Sequence, residues 1–330
     1  MSEQRIAPWS LATADAGGGD VVFLVVGDRA LPLGAAARMP DAPPLPEGAG
    51  DIPTTTIDLL RNWDVLEPWL DGVARRASGD DGALPRLGHD ASNLRFRAPV
   101  PQPGQLLYAA ANYRAHILEQ MRTLLPEGSQ EVDKRLIRPY FFPKPATSVT
   151  GPFDDVAIPP DVTQLDWEVE LALVIGRAGF RISEREAMQH VAGYMVADDL
   201  TCRDMVIRRD WPLLRTDWLT GKGFPGFAPL GPYLVPARFV PDPLNLRLQL
   251  RVNGETKQDS STAEMVFSPA EQIAFVSRVV PLAPGDVIST GTPEGVGFAS
   301  GTFLAAGDVV EAEVEGLGRQ RTRIVDSAKS

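Results

Sequence analysis

Three acids carry the chemistry that this chain advertises first. In Leu165-Asp166-Trp167-Glu168-Val169-Glu170-Leu171-Ala172-Leu173-Val174-Ile175-Gly176, an apolar strand is interrupted by two carboxylates two residues apart. Alternate side chains of a strand share a face. Glu168 and Glu170 therefore project together, and Val169 and Leu171 face the other way. Two like charges on a mostly apolar strand repel each other and lose hydration. A divalent cation between them is the economical remedy. A further acid, Asp199, ends the apolar run Val196-Ala197-Asp198-Asp199-Leu200. Oxygen-only ligation by Glu168, Glu170 and Asp199 suits Mg²⁺, Mn²⁺ or Ca²⁺ rather than zinc or copper. A strand with one solvated face is the competing reading of the glutamate pair, and Asp199 alone reads as a turn residue.

His116 and Glu119 form a second constellation within Asn112-Tyr113-Arg114-Ala115-His116-Ile117-Leu118-Glu119. At i, i+3 on a helix they share a face. A carboxylate beside imidazole orients it and raises its basicity, so the pair is able to take a proton from water. Taken alone, a surface ion pair is the commoner reading. The other histidines, His89 and His190, have no comparable company. Arg203 alone reads as a salt-bridge arginine, and Lys222 in Thr220-Gly221-Lys222-Gly223 as a loop lysine. Gly291-Thr292-Pro293-Glu294-Gly295 reads as a connecting loop whose N–H groups and Thr292 hydroxyl are able to hold a carboxylate. Cys202 reads as a small buried residue.

These residues need elements to position them. Val21 to Val26 is strand-like, and Gly27-Asp28 turns it into a second strand. Residues 39–53 form a Pro- and Gly-rich loop. Thr56 is expected to cap a helix carrying Ile57, Leu60 and Leu66, bent or ended by Pro68. After a polar, Pro-rich stretch the chain is denser in strands. Leu106 to Ala110 leads into a helix from about Tyr113, and residues 121–140 look like an excursion. Ser183-Glu184-Arg185-Glu186 and Ser268-Pro269-Ala270-Glu271 are capping-box patterns. Leu246 to Val252 runs into Asn253-Gly254, a hairpin signal. Pro284-Gly285-Asp286-Val287 and Ala306-Gly307-Asp308-Val309 look alike, but two short turns are not a repeat architecture. The expected organisation is a small N-terminal α+β domain with its linker over residues 1–103, then a β-rich catalytic domain over 104–330.

Composition narrows the partners. The 330 residues carry a net charge of -11, which argues against nucleic acid or an anionic membrane. One cysteine excludes a disulfide framework. No apolar run approaches the ~20 residues that span a bilayer, and Met1 to Arg5 lacks the look of a signal peptide. A cytoplasmic protein is the expectation.

The ordered set of motifs resembles the fumarylacetoacetate hydrolase family. The matches are Asn112-Tyr113-x-x-His116, Phe142-Pro143-Lys144-Pro145, Asp166-Trp167-Glu168-Val169-Glu170-Leu171-Ala172, Val191-Ala192-Gly193-Tyr194, Asp199-Leu200-Thr201-Cys202-Arg203-Asp204, Gly221-Lys222-Gly223-Phe224, Pro229-Leu230-Gly231-Pro232, Val252-Asn253-Gly254-Glu255 and Pro284 to Pro293. The resemblance implies a mixed β-sandwich roll behind a smaller N-terminal domain, usually dimeric. It implies Mg²⁺ or Mn²⁺ on Glu168, Glu170 and Asp199, and a water-activating dyad of His116 and Glu119 on a lid helix. It implies Lys222 and Arg203 as stabilisers of an oxyanion or enolate, and Thr292 and Tyr113 as substrate contacts. Many hydrolytic members place Gln seven residues after the metal Asp, whereas here Val206 stands at that substrate-binding position. An apolar side chain cannot replace those hydrogen bonds, which argues against the usual small dicarboxylate. The stretch from Gln120 to Tyr140 is longer than in compact members. The implied reaction is hydrolysis of a C–C bond in a β-diketo (2,4-dioxo) acid such as an acylpyruvate. Decarboxylation, or isomerisation or hydration, of a related oxo-acid shares the site. A non-catalytic small-acid-binding protein is the more distant alternative.

Overall fold

The computed structural model describes residues 7–15, 17–79, 84–124, 132–208, 210 and 213–327. Its first sheet comes from the first hundred residues, in the order His89–Asp90, Arg29–Pro32, Asp20–Val26, Ser10–Asp15, Arg95–Arg97. The two-residue turn Gly27-Asp28 pairs Val26 with Arg29, as the sequence signal predicts. Two helices, Thr56–Arg61 and Trp63–Ser78, pack against this sheet. The helix cap is Thr55, not Thr56, because Thr55 is the residue three before Asp58, whose N–H its hydroxyl accepts at 3.2 Å. Pro68 lies inside the second helix and does not end it. The break falls instead at Asn62, whose backbone leaves the helical region.

The remainder forms two face-to-face sheets, as expected for the sandwich roll. The first has six strands, in the order Val235–Pro236, Val191–Asp198, Val169–Ile175, Val287–Ser289, Leu106–Ala110, Tyr140–Pro143. All its pairs are antiparallel except Val287–Ser289 beside Leu106–Ala110. The second sheet runs Glu255–Ser261, Arg247–Val252, Val309–Val314, Gly318–Asp326, Val156–Ile158. Asn253 and Gly254 both adopt positive φ, the conformation that a two-residue hairpin turn demands. The two similar turns make the same local device: Asp286 accepts the Ala283 N–H and Asp308 the Ala305 N–H, each at 2.7 Å.

Alternation on the central strand Val169–Ile175 separates two cores. Val169, Leu171, Leu173 and Ile175 face the second sheet and pack with Leu248, Leu250, Val310, Ala312 and Val314. Ala172 and Val174 face the opposite way, into a core shared with Trp9, Leu24, Trp63 and Leu70 of the N-terminal region. Gly176 permits that approach, since a Cβ there would lie 3.0 Å from the Trp63 ring and 2.7 Å from Ala192. Arg238 ties the same regions from outside, pairing with Glu67 at 2.6 Å and Asp71 at 2.5 Å.

The helix expected as a lid covers Arg114–Leu124, and residues 125–131 of the expected excursion lie outside the described part. Of the capping boxes, Ser268 with Glu271 starts the helix Pro269–Val276 with both reciprocal bonds in place. The Ser183 box does not: its hydroxyl bonds the Glu186 carboxylate directly at 2.5 Å, and only a short 3₁₀ turn, Ala187–His190, follows.

Candidate active site

Glu168 and Glu170 project from the start of the central strand, and Asp199 follows the end of its antiparallel neighbour, where Val169 pairs with Asp198. The three carboxylates converge, each offering an oxygen within 4.8 Å of the others. All three are buried. The backbone makes this possible at little cost. The Asp199 N–H donates to the Glu168 carbonyl at 2.9 Å, and the Glu168 N–H to Asp198 Oδ1 at 2.8 Å.

Basic groups surround two of the three acids. Lys222 Nζ bridges Glu168 Oε2, at 2.9 Å, and Asp199 Oδ2. Lys144 Nζ donates to Asp199 Oδ1 at 2.7 Å. Arg203 donates to Asp166 Oδ2 at 2.7 Å and to Glu168 Oε1. Burial opposes the charge of Glu168, but Lys222, Arg203 and His116 outweigh it and hold its carboxyl below the usual range. Burial also opposes the Lys222 charge, and there the flanking Asp199 and Glu168 prevail and raise it.

Glu170 differs. Its Oε2 accepts from Ser289 Oγ at 2.5 Å and from the Gly291 N–H at 2.8 Å. Its Oε1 is buried and meets no donor. Burial, then the charges of Asp199 and Glu168, push this carboxyl well above the usual range. A buried acceptor without a donor is costly. Three carboxylates, Asp166, Glu168 and Asp199, share three basic groups, Lys144, Lys222 and Arg203, whereas Glu170 has none and Asp198 is buried beside them. The residues present therefore fit a hard divalent cation by donor type, by spacing and by the orphaned Glu170 oxygen.

The lid helix brings its pair to the same place. His116 Nδ1 lies 3.3 Å from Glu119 Oε2, which fixes the ring by one nitrogen. His116 is buried beside Glu168. Asn112 anchors the approach to this helix, donating to Thr290 O at 2.8 Å and accepting the Phe267 N–H at 2.9 Å. One loop touches every part of the site. Gly291 N–H meets Glu170, Gly295 N–H meets Glu119 at 3.2 Å, and Gly297 and Phe298 N–H meet Asp166 at 2.6 and 2.9 Å.

The remaining candidates occupy different surroundings. The Thr292 hydroxyl donates to Val169 O and accepts from Gln258 Nε2, both at 2.9 Å, so it ties the loop to the central strand. Tyr113 is buried in the second core. Val206 packs against Gly221, where a Cβ would lie 2.1 Å from Val206 Cγ2, and so sets how closely the Lys222 segment approaches. Cys202 is buried, and burial pushes its thiol up to about 12, which removes it as a nucleophile.

Sequence reasoning passes over Lys144, Asp166, Asp198 and Gln258. Lys144 enters only as a motif letter, and Asp166 only as the residue before the glutamates. Asp198 is pushed up to about 7 by burial, and by Asp199 against the Glu168 N–H that lowers it. Gln258 reaches across from the second sheet to accept the Val169 N–H at 3.0 Å and hold Thr292. Asp166 and Asp198 are chain neighbours of the trio's segments, and that adjacency is the available signal for them.

Comparisons with known proteins place the chain in a family. The model of the fumarylacetoacetate hydrolase C-terminal domain matches residues 106–325. Oxaloacetate tautomerase FAHD2A, mitochondrial, of Homo sapiens is 44% identical over 249 residues, covering 74% of this chain and 73% of its own length. The fumarylacetoacetate hydrolase of Exiguobacterium antarcticum superposes with a TM-score of 0.72 at 25% identity, over 96% of this chain and 99% of that one. Maleylpyruvate hydrolase of Sphingobium sp. SYK-6, in complex with manganese(II) and pyruvate, does so with a TM-score of 0.69 at 25% identity, over 96% and 99%. The human relative is named as mitochondrial; in this chain, among the described residues, no helix is long and apolar enough to cross a membrane. By the extent of the family match and the identity to its members, the chain belongs to the fumarylacetoacetate hydrolase family.

Proposed function

We propose that this protein is a divalent-metal-dependent enzyme of small 2-oxo acids, and that its reaction is keto–enol tautomerisation of an oxaloacetate-like substrate. The observation that carries the reading is the buried His116, held by the half-buried Glu119 and set against the acidic trio. Identity to oxaloacetate tautomerases supports it, at 40% for the bovine protein and 44% for the human one. Glu168, Glu170 and Asp199 would hold Mg²⁺ or Mn²⁺. When bound, such an ion stabilises an enolate of the oxo-acid. Glu119 accepts the Nδ1 proton of His116 and leaves Nε2 to move a proton at the carbon next to the carbonyl. Arg203, paired with Asp166 and Glu168, keeps a fixed positive charge at the wall. Buried walls exclude bulk water and strengthen each of these interactions.

Hydrolysis of a β-diketo acid such as an acylpyruvate is the second reading, in which the same His116 takes its proton from water. The hydrolases among the structural neighbours favour it. Lys222 and Arg203 would then face the developing oxyanion, a contribution of ~3 kcal/mol per donor in other enzymes. Val206 at the usual Gln position does not separate the two readings, because it withholds the same hydrogen bond from oxaloacetate, itself a small dicarboxylate. A homodimer in the cytoplasm completes the proposal, and the exposed Leu213, Leu214 and Leu219 support the association.

Oxaloacetate and a panel of acylpyruvates, each with Mn²⁺ and with Mg²⁺, decide between the readings. Faster loss of the oxaloacetate enol absorbance, with deuterium exchange at C3, is the expected result. Two acid fragments from an acylpyruvate, with no effect on enol decay, would establish hydrolysis instead. CO₂ as the sole small product would sink both.

A further inference from the structure

Lys144 is the charged group of the site that no step above uses. It directly follows the edge strand Tyr140–Pro143, between Pro143 and Pro145, whose rings restrict the backbone. Its own N–H donates to Leu106 O at 2.9 Å. Its side chain is 0% exposed. An ammonium has three protons and no lone pair. Here three oxygens receive it: Asp199 Oδ1 at 2.7 Å, Phe227 O at 2.6 Å and Leu200 O at 3.4 Å. The Tyr108 ring lies beneath, its centroid 5.0 Å from Nζ. The arrangement accommodates the charged form and offers no donor to a neutral amine.

Lys222 and Arg203 supply two charges to Asp166, Glu168 and Asp199, and Lys144 supplies the third, on the Asp199 oxygen that Lys222 does not reach. A buried lysine is expensive, and a well-packed apolar side chain of the same length generally serves stability as well. The Lys144 ammonium places a positive charge in direct contact with one trio carboxylate, Asp199, which lessens that carboxylate's pull on a divalent cation and favours an anion nearby.

We propose that Lys144 is a positioning residue for the substrate anion: acting through Asp199 and without touching substrate, its buried charge weakens the hold on the metal and strengthens the hold on an anionic oxo-acid. This rests on the metal-dependent reading above. Because the group is buried, salt screens it little, and a unit charge at this range alters an affinity by about tenfold.

The test uses full-length protein with Lys144→Met and Lys144→Gln. Mn²⁺ affinity is read from the electron paramagnetic resonance of the free ion. Oxalate, as a probe anion, is then titrated into each Mn²⁺-loaded protein. The expected result is a split: Mn²⁺ bound at least as tightly as by wild type, and oxalate about tenfold more weakly. A structural role would move both affinities the same way, and that outcome overturns the proposal, as does unchanged oxalate binding. Failure of both variants to fold would make Lys144 a structural counter-ion and overturn it equally. Wild type that binds no Mn²⁺ would instead defeat the metal-dependent reading itself, a result read before any variant is made.

Discussion

One face of the six-stranded sheet has two ends of opposite character. At one end Val174 of the central strand and Val287 opposite it are buried in the core shared with the N-terminal region, and Ala172 with its partner Met195 carries that core towards the middle. At the other end the same alternation delivers Glu170 and Glu168, with Asp199 beside them; Ser289, opposite Ala172, marks the boundary, and Lys144 reaches Asp199 only through its side chain. The two ends differ in what holds them. Apolar burial contributes about 1.5–3 kcal/mol per large side chain. A buried ion-pair network offers little net stability, because desolvation offsets most of its attraction. Stability and chemistry are thus divided along a single sheet face, with the N-terminal region covering the apolar end.

The largest expected effect tests the polar end. Glu170→Gln removes the one trio carboxylate without a basic partner. Mn²⁺ binding by calorimetry should vanish and turnover with it, while the melting temperature without metal should stay level or rise, because burial and the neighbouring acids already disfavour the charged form of Glu170 and a neutral amide takes its place. A clear drop in that melting temperature would mean that the acid supports the fold, and the division would fail. Next comes His116→Ala. Turnover should fall by about 10²–10⁴, with Mn²⁺ affinity within about twofold of wild type, since the imidazole is not among the trio. An equal loss of metal would place the histidine in the ion's coordination instead.

How much of this division the sequence discloses depends on the range of the signal. The glutamates are legible because strand alternation is local, and His116 with Glu119 because helical spacing is local. Asn253-Gly254 and Ser268 to Glu271 are likewise complete within a few residues. Ser183 to Glu186 has the same letters as a capping box, but its Ser and Glu bond each other and leave the backbone uncapped. Thr54, Thr55 and Thr56 are equivalent as letters, and the position of Asp58 selects the middle one. Lys144 and Gln258 are illegible for another reason. Their partners lie 55 and 89 residues away, at Asp199 and Val169, and no local pattern records such a contact. The trio's convergence is inferable because repulsion between Glu168 and Glu170 demands a neutralising group. Nothing comparable points to Trp63 filling the notch at Gly176.

The apolar end supplies the reciprocal experiment. Trp63→Ala should cost about 3–5 kcal/mol by denaturant unfolding, because its ring is nearly enclosed, at 8% exposure, between Gly176 and the shared core. Below the melting transition, Mn²⁺ affinity and turnover should match wild type. If the variant lost metal at a temperature where it remained folded, the two ends would be coupled through the strand.

The smallest effect sharpens the comparison most. Metal stabilises the folded chain only in so far as the native state assembles the trio. At a hundredfold excess of Mn²⁺ over its dissociation constant, the expected gain is about 2.7 kcal/mol. Trp63 and the trio lie at opposite ends of the central strand, so their effects should add. Wild type and Trp63→Ala should therefore gain the same increment from Mn²⁺, and Glu170→Gln should gain none. Melting each protein with and without Mn²⁺ measures this directly. A smaller gain in Trp63→Ala would show that the N-terminal region helps to hold the carboxylates in place, and that the apolar end is part of the site rather than only its support.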